Sequence, residues 1–202
     1  MSAQQPIGRI LLKTYLNEDG TVQHGIRLAF PKLFKAEQVN GQGDPKFGAS
    51  LIISPDHPQL ADLRKIQDAV AKDKWKDKAP AILKVLDKQD RLAVHDGDMK
   101  AQYDGYPGNF YLSANAQESA PPTVIDRDRS ALTERSGKPY AGCYVNASVE
   151  IWAQDNKFGQ RVNTTLRGIQ FLKDGDSFSA GRPADADEFE AVTEGAGAED
   201  FA

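Results

Sequence analysis

The sequence contains one cysteine, three histidines, two tryptophans and two methionines among 202 residues, and this scarcity removes several classes of function. A single cysteine, Cys143, cannot form an internal disulfide, so a disulfide-stapled secreted domain is excluded and a reducing cytoplasm is the expected setting. His24, His57 and His95 stand in separate contexts, and no His or Cys pairing has the spacing of a structural zinc site. No apolar run approaches the roughly 20 residues of a membrane span. The N-terminal MSAQQPIGR lacks the apolar core of a signal peptide. The patterns GxxxxGK[ST] and GxSxG are missing, so phosphate-loop NTPase and hydrolase readings have no anchor.

An excess of positive charge is also lacking. The net charge is -4, which at first argues against a nucleic-acid partner. The average conceals an asymmetry. Residues 184–202 hold seven acids and no Lys or Arg, leaving 22 acids against 25 basic residues and a net +3 on residues 1–183. The chain is a mildly basic body joined to an acidic tail. The tail, ADADEFEAVTEGAGAEDFA, has too few large apolar side chains to offset its ordering entropy, and disorder is expected there. Residues 1–5 are expected to be a flexible lead and 6–183 the single folded domain.

Within the body, period-2 alternation predicts strands. In residues 7–16 Ile10, Leu12 and Leu16 are expected inward, with Arg9, Lys13 and Tyr15 outward. In 25–30, Ile26, Leu28 and Phe30 are expected inward, with Pro31 limiting the strand. Further strands are expected at 47–53, 109–116, 143–153 and 161–166. Helical spacing predicts a helix over about 57–75, capped by Asp56, and a short one over about 79–88 with Pro80 in its first turn. Residues 90–108 read as loop. Mainly β with inserted helices after the third strand fits a Greek-key barrel of the oligonucleotide-binding (OB) type.

Two constellations could carry chemistry. His95-Asp96-Gly97-Asp98 could place two carboxylates and an imidazole around a divalent ion, as a metal-dependent nuclease would need; a solvated acidic turn is the plainer reading. The run YDGYPGNFY offers Tyr103, Tyr106 and Tyr111 as exposed rings near Lys100, which suits base stacking along a single strand, with Phe110 expected in the core. Tyr144 and Trp152 share the outward register of the 143–153 strand. Arg9, Lys13, Tyr15, Arg27 and Lys46 could converge into a basic groove. The segment Lys72–Lys78 around Trp75 reads as a solvated helix end. The tail acids Asp185, Asp187, Glu188, Glu190, Glu199 and Asp200, with Phe201 as an apolar anchor, are expected to compete for the groove and to recruit a partner.

The blocks YPGNFYLSANA (106–116), YAGCYVNASVEIWAQ (140–154) and LRGIQFLKDGDSF (166–178), in that order, resemble a bacteriophage and prophage family of single-stranded DNA-binding proteins, distantly similar to podovirus replication proteins. The resemblance implies an OB fold, a binder rather than an enzyme, no cofactor, and tail contacts with DNA polymerase or other replication proteins. No motif carries the DNA contacts over residue by residue. The expected function is therefore coating single-stranded DNA in phage replication, recombination or repair, in the host cytoplasm, with a homo-oligomer allowed. The alternatives are a DNA-processing enzyme using Asp96 and Asp98, and an interaction module that does not touch nucleic acid.

Overall fold

The computed structural model describes residues 6–39 and 41–178. The tail residues named above, 185–201, lie outside them. Among the described residues ten strands and two α-helices follow in order: β1 Arg9–Leu12, β2 Tyr15–Leu16, β3 Val22–His24, β4 Ile26–Val39, β5 Gln42–Ile53, α1 Leu60–Trp75, α2 Ala79–Lys88, β6 His95–Asp96, β7 Phe110–Gln117, β8 Thr123–Ile125, β9 Tyr144–Asn156 and β10 Gly159–Lys173. Among the described residues no helix is long and apolar enough to cross a membrane.

Five strands close a ring. β4 pairs antiparallel with β5, β5 with β7, and β9 with both β10 and β4, while β7 and β10 run parallel through Thr164 and Ala114. This is a Greek-key barrel of the OB type, as the strand pattern suggests. Closure leaves only the short strands β1, β6 and β8 as edges of this sheet, which limits edge-to-edge aggregation. β1 and β8 extend the sheet beside β9 and β10, and β2–β3 form a separate small hairpin.

The alternation in 143–153 places Cys143, Val145, Ala147, Val149 and Ile151 in the core, each at most 1% exposed. Leu28, Leu51, Leu112, Leu166, Ile169 and Phe171 complete the barrel interior. Both helices add to the same core through Leu63, Ala71, Trp75 and Leu86. Burial pushes the Cys143 thiol up to about 11, which makes it a poor nucleophile at neutral pH.

Five local expectations are corrected. α1 starts at Leu60 with Gln59 at its N-cap and no side-chain cap, so Asp56 does not cap it. Trp75 is buried, and its indole N–H donates to Asp155 Oδ2 at 2.9 Å, tying the helix end to β9 rather than leaving it solvated. Leu16 is 41% exposed because the chain leaves β1 after Leu12 and forms the β2–β3 hairpin. Phe30 is 49% exposed, since its φ of 47° turns its side chain outward at a register shift between Ala29 and Lys32. Such a backbone costs a non-glycine residue about 1 to 3 kcal/mol. Pro31 is accommodated in that irregularity, where the ladder needs no N–H, so β4 continues to Val39 instead of stopping.

Candidate nucleic-acid interface

The outward registers of four adjacent barrel strands meet in one polar groove of about 460 Å³. β5 contributes Lys46, β7 Asn115 and Gln117, β10 Asn163, Thr165 and Arg167, and β9 Trp152 and Gln154. Period 2 places Lys46, Asn115, Trp152 and Thr165 on the face opposite the neighbouring core residues Phe47, Ala114, Ile151 and Leu166. Trp152 is 41% exposed, and its indole N–H donates to Thr165 Oγ1 at 3.0 Å, which fixes the ring's orientation. Asn163 Nδ2 donates to Gln154 Oε1 at 3.1 Å on the neighbouring register. Arg167 Nε donates to Glu150 Oε2 at 2.9 Å, a pairing that holds the guanidinium in place. Lys46 is exposed and makes no ion pair among the described residues.

Two of the expected contact residues, Lys46 and Trp152, therefore lie in one groove. Arg9 is exposed on β1 directly opposite Glu150, at the groove's margin. Lys13 and Tyr15 sit instead beside the start of α1, where the Lys13 carbonyl meets His57 Nε2 at 3.0 Å and the Tyr15 ring packs 5.7 Å from His57.

Of the other expected contacts, Tyr106 and Tyr111 are buried, Arg27, Lys100 and Tyr144 are half-buried in contacts within the fold, and Tyr103 stays exposed. Arg27 donates from Nε and Nη2 to the Gly142 carbonyl and from Nη2 to the Asp176 carbonyl, and its guanidinium lies 4.1 Å from the Phe178 ring and 5.3 Å from Tyr144. It clamps the segment after β10 to the barrel. Gly142, at φ 103°, is needed there because a Cβ would strike the Asp176 carbonyl. Tyr144 is the half-buried floor of this clamp.

Tyr106 and Tyr111 are 0% and 3% exposed and form a second apolar cluster with Ala29 and Ile52 on the outside of the barrel, roofed by the 97–108 segment. Lys100 is half-buried over these rings, with Nζ 4.4 Å from the Tyr111 centroid, and burial lowers its pKa. It covers the cluster. Of the three tyrosines only Tyr103 is accessible, at 44%. Burial, followed by the charges of Asp90 and Tyr106, pushes the Tyr111 phenol up to about 12. A folded pKa raised above the ordinary value of about 10 means that the neutral form stabilises the fold. That contribution is complete below about pH 10 and is lost as the pH rises towards about 12. Burial also raises the Tyr106 and Tyr140 phenols, so an ultraviolet titration should show Tyr111 ionising late in a group of retarded phenols, together with unfolding.

The acidic loop proves to be a structural closure. Asp96 Oδ1 accepts from the Asp98 backbone, Asp98 Oδ1 accepts from the Gly108 backbone, and His95 pairs with Asp90 while stacking on Tyr111. Among the described residues no group of three or more His, Cys, Asp or Glu is arranged to hold a metal ion. The expectation of a nuclease-like cluster has no geometric support in this loop.

Sequence reasoning missed Asn115, Gln117, Asn163, Thr165 and Arg167. Their signal was present in the outward alternation of β7 and β10, but amides, hydroxyls and a single arginine look like ordinary surface until the strands are laid side by side. Phe158, 75% exposed at the β9–β10 turn beneath Lys157, was missed because a turn residue has no strand alternation to place it.

Comparison with known proteins gives a consistent picture. Residues 20–202 match the model of a family described as Enterobacter phage Enc34, ssDNA-binding protein. The chain is 43% identical over 171 residues to putative protein p50 of Acyrthosiphon pisum secondary endosymbiont phage 1, covering 83% of this chain and 90% of that one. Its fold matches the single-stranded DNA-binding protein from bacteriophage Enc34 in complex with ssDNA, with TM-score 0.64, 24% identity and coverage of 85% and 89%. The bacteriophage T7 single-stranded DNA-binding protein gp2.5 matches with TM-score 0.50, 11% identity and coverage of 91% and 98%.

Proposed function

The chain belongs to the family of the Enterobacter phage Enc34 ssDNA-binding protein, and from that premise we propose that it binds single-stranded DNA in the groove crossed by Lys46, Asn115, Trp152 and Arg167. The observation that carries this reading is the exposed Trp152 ring, held by Thr165 in a groove that Lys46 and the Glu150-paired Arg167 also line. A single strand has unpaired bases to stack and phosphates to neutralise, and such a surface serves both. Asn115, Gln117 and Asn163 supply amides that bond any base edge or sugar, which agrees with weak sequence preference.

In this reading the protein coats single strands during phage replication, recombination or repair in the bacterial host cytoplasm, as a binder without bond chemistry. The acidic tail from Ala184 competes with DNA for the groove and recruits a polymerase or another replication protein. The test is a titration of single-stranded oligonucleotide over a range of salt, using the full chain, a chain ending at Pro183, and Lys46→Ala. Removing one phosphate contact should flatten the log–log salt slope by about 0.7. Loss of the tail should tighten binding most at low salt. A slope unchanged by Lys46→Ala would remove Lys46 from the phosphate path.

A further inference from the structure

Phe30 keeps half of its ring in water on a left-handed backbone, while the other half rests on Tyr103 and, with centroids 6.1 Å apart, on the buried Tyr106. A bulky side chain kept in such a conformation at an exposed position points to use by a ligand. Its ring meets Tyr103 edge-on, with centroids 5.0 Å apart and planes at 86°, and Tyr103 is itself exposed. Phe30 also stands between two cavities. On one side is a recess of about 130 Å³ bordered by Lys32, Glu37, Lys46, Ser50 and Asn115, in which Lys32 neutralises Glu37, and it joins the Trp152 groove because Lys46 and Asn115 line both. On the other is a cleft of about 330 Å³ walled by Pro31, Tyr103, Tyr106, Ala141 and Phe178.

We infer that Phe30 and Tyr103 form a second base-stacking station on the same strand path, an inference that rests on the groove reading above. One unpaired nucleobase enters the apolar cleft against the two rings. Lys46 holds the phosphate between this station and Trp152. Lys32 is bridged to Glu37 at 3.2 Å, so Lys46 is the cation assigned. Asp104 is the one charged residue lining the cleft, which disfavours a phosphate there and leaves the base as the inserted part. The apolar walls suit an aromatic face and offer little that would discriminate between bases.

The test compares Phe30→Gly, Tyr103→Ala and Trp152→Ala in the full chain, with an end-labelled oligodeoxythymidylate series from about 4 to about 16 nucleotides, a range that brackets the site sizes of OB folds. Glycine relieves the positive φ while removing the ring, so Phe30→Gly should fold with its melting temperature kept. The expected result is a loss of about five- to 150-fold on long strands, the value of one stack, and no loss on strands short enough to fill only the Trp152 groove. One abasic position should weaken the wild type by a similar factor and leave Phe30→Gly indifferent. Wild-type affinity of both ring variants at every length, with Trp152→Ala weakened, would overturn the second station and leave the groove standing. If Trp152→Ala also bound normally, the groove reading itself would fall. Tighter binding by Phe30→Gly would also overturn the station, because it would mean that the cleft serves an occupant competing with DNA. Should Phe30→Gly not fold, Tyr103→Ala at its exposed position decides the matter.

Discussion

Replacing Trp152 by alanine lowers the affinity for single-stranded DNA by about five- to 150-fold at moderate salt while leaving the fold intact. The ring is half in water and its removal opens no cavity, so the stability change should stay within about 0.5 kcal/mol beyond the lost bond to Thr165. The salt slope should not change, because a stack releases no counterions. This separates Trp152 from Lys46, whose replacement alters the slope. Trp152→Phe should recover most of the affinity, since any aromatic face stacks. Equal affinity of Trp152→Ala and wild type, measured by anisotropy on a long strand, would place the strand elsewhere on the barrel.

Tyr111→Ala has the opposite signature. The ring is buried, stacked on His95 at 4.9 Å, edge-on to Tyr106 at 5.1 Å and covered by Lys100. Truncating a buried aromatic residue costs about 3 to 5 kcal/mol, a large share of the 5 to 15 kcal/mol that holds a typical domain together. Urea unfolding should show the midpoint falling with little change in slope. DNA affinity, measured where the variant remains folded, should change far less than for Trp152→Ala. A variant of normal stability that had lost binding would return Tyr111 to the interface.

The contrast between these two aromatic residues shows what the sequence discloses. Strand β9 was legible because its alternation is strict and one face is aliphatic throughout, so both the core positions and the outward register of Trp152 follow from period 2 alone. The YDGYPGNFY segment misled because glycine and proline signal a loop, and loops usually expose their rings. Here the loop folds back onto the outer face of the barrel and buries Tyr106 and Tyr111 over Ala29 and Ile52. No local pattern reports that return, since it depends on the apolar outer face of β4 and β5 meeting the loop in three dimensions. Arg27 likewise reads as a surface cation in sequence, and only the path of residues 174–178 reveals it as a clamp. The second half of β4 was hidden by Pro31, because a proline that normally ends a strand is tolerated at an irregularity. The groove's amides were illegible for a different reason: each is chemically ordinary, and the barrel's closure alone brings them together.

The central claim, that single-stranded DNA lies across the Trp152 face, is tested most directly by the emission of that tryptophan. Trp75 and Trp152 are the two tryptophans, and Trp75 is buried against Asp155, so Trp75→Phe leaves Trp152 as the sole reporter. Titrating this variant with oligodeoxythymidylate at low and high salt should quench the emission saturably. The midpoint should move to higher DNA concentration as salt rises, and duplex of the same length should quench far less. Retention of the strand on a gel with unchanged Trp152 emission would contradict the proposed path, and no retention even at low salt would contradict the function itself.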